Sequence, residues 1–566
     1  MESQISFAQN AHAAKKSPPL RNQWAGIIAL LALALLLILP GYAGAQTTTL
    51  RTSGTWSDAN NWSNGVPTPD AYAYVDNNLT ISATTCVLGT AGDLIVGESG
   101  TGTLSIQGGS ITSANGTLGD QAGSNGTATI TSGAWTGGQL SVGEGGTGTF
   151  NMNGGSVSYT HSVVGDQAGS NGTVTVTSGT WVNTNTLYIG NFGTGTLNIK
   201  GGTVTSQIGA VGTSSTVTVT GGNWTTNTLS VGQSGPGTLN VSGSGVVTIG
   251  NNGNGVLNLA PGSTLNMGTG GTAGTLNARA IFGDENATIN FNHTGSYTFA
   301  AEIFSMFINK LGTGTTILTD TNSFADLTTV SQGELDVNGS LSSRVLVGSG
   351  ATVGGSGATG AVTLNGGTIG GTLNTSFISG SGTIAPGNSP GILTTGTLTG
   401  GGGLSFKFEL KQSTPNYGSA TDSKNDLVHV TGSLNALTSA DQITVYLSSA
   451  IPGTTYLGGL FVDNLSAALL GSAANNASFL YYILDSTGTS TTPGDIYYNG
   501  SYYTSLSAWY VAVSAVDLAN TVFETGTVAS GSELKFTVVP EPGTWALFLS
   551  ATGLLALLQR FRRRLA

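Results

Sequence analysis

The chain has 566 residues, 89 of them Gly and only 8% charged, with a net charge of −11 at pH 7. Residues 1–45 carry +2 and residues 540–566 carry +3, so the body between them carries −16. An acidic body poor in Lys and Arg excludes nucleic acid and anionic membrane surfaces as partners, and the single Cys86 excludes an intramolecular disulfide framework.

The N-terminus has the order of an export signal. Lys15, Lys16 and Arg21 precede the uncharged run Ala25–Leu39, and Pro40-Gly41 leads into Ala43-Gly44-Ala45. A basic stretch, an apolar stretch and small residues at Ala43 and Ala45 make the secretory pattern, which predicts cleavage after Ala45 and a mature chain starting at Gln46. The run is also long enough for a marginal span, so a retained N-terminal anchor is the alternative. Residues 46–85 form an N-terminal cap segment. Cys86 follows in a β-branched, strand-like run and reads as a small buried hydrophobe.

Residues 86–400 are dominated by repeats. The phrase Leu-x-Val-Gly-x-x-Gly-x-Gly-Thr recurs at Leu94–Thr103, Leu140–Thr149, Leu187–Thr196 (with Ile189 in the Val place) and Leu229–Thr238, at spacings of 46, 47 and 42 residues. Gly119-Asp-Gln-Ala-Gly-Ser-Asn-Gly-Thr127 is copied letter for letter at Gly165–Thr173, and Trp135, Trp181 and Trp224 recur in step. The unit is about 46 residues and divides into two similar halves of about 23. A fixed period in this range marks stacked repeats. Alternating stretches such as Thr173-Val-Thr-Val-Thr177 predict short strands with one side inward, and the Gly-Gly and Asn-Gly pairs supply tight corners. The expected fold is all-β: a right-handed parallel β-solenoid of about 23-residue coils. The three tryptophans should stack in a ladder along one corner, and the sequence leaves open whether that ladder faces in or out.

These repeats resemble the PEP-CTERM and autotransporter-associated repeat, and Lys310-Leu-Gly-Thr-Gly-Thr through Gly333-Glu-Leu-Asp-Val337 resembles the autotransporter-associated β-strand repeat. Gly382-Thr-Ile-Ala-Pro-Gly-Asn-Ser-Pro-Gly391 is similar to the C-terminal part of passenger β-helices, and Gly54-Thr-Trp56-Ser-Asp58 with Asn61-Trp62 is similar to the opening of such surface proteins. A short tail stands where those proteins carry an outer-membrane barrel, so self-translocation is not expected.

Residues 401–535 lose the repeat and gain aromatics, at Tyr481-Tyr482, Tyr497-Tyr498, Tyr502-Tyr503 and Trp509-Tyr510. They read as a Tyr-rich C-terminal β cap, which an open solenoid end needs to cover its strand edges.

Residues 536–566 are the most informative segment. Val539-Pro540-Glu541-Pro542 precedes the uncharged run Thr544–Leu558, and Arg560, Arg562, Arg563 and Arg564 follow as a positive stop. A 15-residue helix spans about 22 Å, short of the roughly 30 Å hydrocarbon core, so any transmembrane helix here is a weak one. The tail resembles the PEP-CTERM sorting domain. That resemblance implies an exosortase-type membrane peptidase as partner, transient inner-membrane anchoring, and passage to the cell surface or beyond. An ordinary tail anchor is the alternative.

No catalytic, metal or cofactor site is expected. Glu98, Asp120, Glu144 and Asp166 are the acids of the repeated phrases, and Asp120 and Asp166, at equivalent places in identical loops, read as turn residues bonding local amides. His161, His293 and His429 are isolated, without zinc-ligand spacing, and His161 reads as solvent-facing. The expected function is a non-enzymatic structural protein of the surface or matrix, linked through the family resemblance to exopolysaccharide and biofilm. Two alternatives remain: a glycan-binding adhesin, which an exposed coplanar aromatic strip would favour, and a solenoid polysaccharide lyase or hydrolase, which carboxylates on adjacent coils would favour.

Overall fold

The computed structural model describes residues 47–435, apart from 82–84, 88–91, 325, 388–390, 401–402 and 411–425, and beyond them only the strands Gln442–Leu447, Thr454–Val462, Ile496–Tyr498, Ser501–Tyr503, Asn520–Val528 and Gly531–Val539. The signal segment 1–45, the tail after Val539 and most of the Tyr-rich segment lie outside the described residues.

The described body is an all-β parallel solenoid of about 16 turns. Each coil visits three faces. On the first, Leu104 pairs in parallel with Ala128, then Phe150, Val174, Leu197, Val217 and Leu239 follow in register. On the second, Ile111, Trp135, Val157, Trp181, Val204, Trp224 and Val247 form one column. On the third, Leu118, Val142, Val164, Ile189 and Val211 do the same. All of these side chains are fully buried. Strict alternation places every inward residue over its equivalent in the next coil, so the core is a set of continuous apolar columns.

Coil length follows the expected figure only in part. Cross-coil side-chain bonds step 24 residues at Thr112–Thr136 and 24 at Asn266–Asn290, but 19 at Asn290–Asn309 and 16 at Thr363–Ser379. The rod therefore tightens between residues 290 and 379, where the repeats fade, and the step lengthens to 35 residues at Ile392–Leu427.

The tryptophans face inward, but they do not stack on one another. Val157 and Val204 separate them, because each Trp occupies every second coil. Trp135 and Trp181 are linked through Phe150, which meets Trp135 at 6.1 Å and 84° and Trp181 at 6.1 Å and 85°, both edge-to-face. Room for the indoles comes from the third face: a Cβ on Gly116 would stand 2.6 Å from Trp135 Cζ2, and one on Gly209 2.7 Å from Trp224 Cζ2. Large and small residues thus alternate coil by coil, and this alternation is the physical reason for a 46-residue unit built from two 23-residue coils. The indole N–H groups of Trp181 and Trp224 meet no hydrogen-bond partner in the chain, a cost of about 1–3 kcal/mol each that burial of the ring offsets.

One corner is closed by a glycine column. Gly109, Gly133, Gly155, Gly179 and Gly202 all have φ between 69° and 91°. A Cβ on Gly133 would come within 2.4 Å of Gly109 O, and one on Gly155 within 2.5 Å of Gly133 O. Both the left-handed backbone and the close approach demand glycine there.

The N-terminal end is covered by the residues quoted above as an opening segment. Trp56 and Trp62 are buried and meet edge-to-face at 5.2 Å, and Trp62 Nε1 donates to Trp56 O at 2.9 Å. Toward the other end, parallel pairing continues through Gln442–Leu447 and Thr454–Val462. It then gives way to an antiparallel arrangement of Thr454–Val462, Gly531–Val539 and Asn520–Val528. Cys86 pairs in register with the inward Ile111; the burial of its side chain lies outside the described residues.

Trp181→Ala should lower stability by about 3–5 kcal/mol, because its valine neighbours cannot fill the space. Phe192→Ala, at a residue 72% exposed, should change it by less than about 0.5 kcal/mol. Denaturant titration of the two variants checks the contrast, and equal effects would show that the alternating column does not limit core stability.

Candidate functional site

Outward positions of the first face carry two polar columns. Threonine occupies one column in nine successive coils, from Thr103, Thr127 and Thr149 to Thr264 and Thr288. In the adjacent column amides bond from coil to coil. Asn240 Nδ2 donates to Thr218 Oγ1 at 3.1 Å, Asn266 to Asn240 Oδ1 at 2.7 Å, Asn290 to Asn266 at 2.8 Å and Asn309 to Asn290 at 3.0 Å. Stacked parallel strands bring identical amides within bonding reach, which makes such ladders stabilising. The product is a flat, neutral surface rich in hydroxyl and amide groups. Repetition of Thr-Leu-Asn was visible in the sequence, but its use as one continuous face follows only from the register.

A corner carries acids on adjacent coils: Asp76, Glu98, Asp120, Glu144 and Asp166. The side-chain bonds of Asp76, Glu144 and Asp166 run between coils rather than within their own turns. Asp76 Oδ1 accepts from Glu98 N at 2.8 Å, Glu144 Oε2 from Thr117 Oγ1 at 3.2 Å, and Asp166 Oδ1 from Asn191 Nδ2 at 2.9 Å. Burial raises the carboxyl pKa of Glu98, Asp120 and Glu144, and for Glu98 and Glu144 neighbouring acids add to the effect. The row meets the adjacent-coil condition for a polysaccharide-cleaving solenoid, yet the same repeat that builds the coil builds the row. Among the described residues, no three of His, Cys, Asp and Glu are grouped so as to hold a metal ion.

Past the repeats a few polar side chains enter the apolar core. Lys310 takes the inward place filled by Phe291 in the preceding coil and by Val330 in the next, and it is fully buried. Its ammonium donates to the carbonyls of Gly312 and, at 3.3 Å, Gln332, and burial pulls its pKa down to about 8. His293, also fully buried, shares a 2.7 Å hydrogen bond between Nε2 and Thr316 Oγ1; burial, with Lys310 adding, lowers its pKa. His161 is exposed, as expected, and His429 half-buried. On an outward strand, Glu334 stands two residues from Asp336. Burial first, then the Glu334 charge, pushes Asp336 up to about 6.

Aromatic side chains reach solvent on the third face, a feature the sequence reading missed. Phe282 is 41% exposed and stacks on Phe304, with centroids 4.5 Å apart and planes 6° from parallel. The sequence-singled Tyr481–Tyr510 cluster lies almost wholly outside the described residues, with only the hairpin Ile496–Tyr498 and Ser501–Tyr503 placed.

Of the sorting residues, only Val539 is placed, at the end of a strand where it pairs with Asn520. Among the described residues no helix is long and apolar enough to cross a membrane; the apolar run of the tail and the signal residues Ala43 and Ala45 lie outside them. Comparison with protein families matches residues 538–564 to the PEP-CTERM protein-sorting motif. The chain carries that motif. The matched span contains Val539, Pro540, Glu541 and Pro542 at one end and Arg560, Arg562, Arg563 and Arg564 at the other. A PEP-CTERM motif is recognised by exosortase, a membrane protein, and it implies export with transient membrane anchoring before processing. No curated protein matches the chain.

The Asp336 carboxyl gives a signed pH effect. Its folded pKa is raised, so its favourable protonated form stabilises the fold below about pH 4, and that stability is lost as pH rises through about 6. Asp336→Asn should therefore be more stable than the parent at pH 7, by about 1 kcal/mol after allowance for solvent screening, and should match it near pH 4. His293, lowered, acts in the opposite sense but equally in both proteins. Chemical denaturation at pH 4, 5.5 and 7 checks this, and a variant less stable at pH 7 than the parent would refute it.

Proposed function

We propose that the protein is an exported, non-enzymatic structural rod of the cell surface or extracellular matrix, released or displayed after exosortase processing. The sorting motif supports the route. The carrying observation for the role is the outward Thr column, repeated without a break over nine coils beside an Asn ladder. A surface that repeats itself presents the same chemistry all along the rod, whereas catalysis needs one place unlike the rest. Neutral hydroxyl and amide columns suit contact with hydrated polysaccharide, in keeping with the family resemblance that links such proteins to exopolysaccharide and biofilm. The acid row at Glu98–Asp166 is the feature that favours the lyase or hydrolase reading, and the raised carboxyl pKa values of Glu98, Asp120 and Glu144 fit that chemistry as well as they fit simple burial.

Two measurements test the proposal. In cells with an active exosortase, intact mass should show a product beginning near Gln46 and lacking the residues after about Pro542. Cells without it should retain Arg560–Ala566 in the membrane fraction; retention in both strains would leave a tail-anchored envelope protein instead. Separately, the mature protein incubated with neutral and uronate-containing polysaccharides should release neither reducing ends nor unsaturated sugars. Release that disappears in Glu144→Gln would establish the enzyme reading.

A further inference from the structure

The outward column of the third face ends in two adjacent phenylalanines. Tyr188, Ala210, Ser230 and Asn258 follow one another in register, and then Phe282 and Phe304 take the next two places. The change falls where the 46-residue unit has ended, so no repeat imposes it. Every other ring pair among the described residues except Tyr297–Phe299 is edge-to-face, at 66° to 85°. The Phe282–Phe304 pair lies at 6° because parallel register holds like residues one above another. Phe282, 41% exposed, thus offers an aromatic ring to solvent, backed by the half-buried Phe304.

Beside it is a cleft of about 230 Å³. Phe282 forms one wall, and Ser230, Gln233, Asn258 and Asp284 contribute polar groups. Binding sites for larger ligands run to roughly 300–1,000 Å³, so this one has room for a single sugar ring.

We propose that the Phe282 cleft binds a pyranose unit of a neutral polysaccharide. The apolar C–H face of the sugar packs on the Phe282 ring, as aromatic side chains accept flat apolar groups while polar groups at the rim fix orientation. Hydroxyls of the same unit meet the Asn258 and Gln233 amides, the Ser230 hydroxyl and the Asp284 carboxylate, a mixed set that offers both donors and acceptors. Neutral sugars are selected because the lining residues include no cation and the body of the chain is strongly acidic; a uronate would meet Asp284 with like charge. This goes beyond the structural-rod reading, since it gives the rod one point of attachment rather than a uniform surface.

The test is affinity electrophoresis of the protein as cells make it, in native gels cast with dextran, a β-1,3-glucan, mannan or alginate. Intact mass is recorded first, so a fault in sorting shows in the mass and a fault in sugar binding shows in the gel. At least one neutral polymer should retard the parent protein. Phe282→Ala should weaken that retardation at least fivefold and Asn258→Ala at least twofold, while Phe282→Trp retains it, with unchanged far-ultraviolet circular dichroism throughout. No retardation by any neutral polymer, equal retardation of Phe282→Ala, or a preference for alginate would each overturn the proposal. Loss of self-association in Phe282→Ala without any sugar effect would overturn it too, and assign the surface to a second copy of the chain.

Discussion

In-register parallel stacking is the constraint on which the molecule depends. A residue in one coil lies directly over its equivalent in the next, about 4.8 Å away, so each side chain is chosen as a member of a column. Columns of Leu, Val and Ile satisfy this without difficulty. A column of tryptophans does not, because indoles that large cannot all lie in one plane above another and still fill the triangle between three sheets. Placing Val157 and Val204 between Trp135, Trp181 and Trp224 resolves the conflict, and Gly116 and Gly209 open the facing sheet where an indole arrives. The double period of the sequence is the record of that packing.

The same constraint governs the outside. A charged residue repeated in every coil would stand next to its own kind all along the rod, which explains a chain that is 8% charged and built on Thr, Ser and Asn. Asparagine converts proximity into a gain, since its amide both donates and accepts, and the Asn240–Asn309 ladder uses both capacities. The acid corner shows the opposite case. There Glu98 and Glu144 are held above their ordinary pKa by burial and by one another's neighbours.

Legibility in the sequence tracked periodicity. Strand alternation, coil length in the repeats and the existence of a solenoid follow from residues 94–241, where the phrases recur nearly unchanged. The inward direction of Trp135, Trp181 and Trp224 did not follow, because the sequence shows which residue recurs but not which face of the coil it falls on. Nor did the tightening of the coils after Asn290, since nothing recurs there to measure. Lys310 stood inside a recognised phrase, yet its burial depends on sharing a column with Phe291 and Val330, and no local pattern signals that. Phe282 and Phe304 are 22 residues apart in an unrepetitive stretch and become a pair only through register. The sorting tail was legible for the opposite reason: its order of Pro-Glu-Pro, apolar run and arginines is read by an enzyme as linear sequence, and needs no fold to bring it together.

Export explains why a chain with one cysteine is built in this way. Each coil is stabilised by the coils beside it, so stability accrues along the rod and no distant closure is required. Such a chain can emerge through a membrane and fold progressively, coil on coil, starting from the end covered by Trp56 and Trp62. The opposite end carries the sorting motif, which implies a transient membrane anchor before processing. A rod whose coils support one another, on a chain whose sorting motif implies export with transient membrane anchoring, is suited to folding after it has left the cytoplasm.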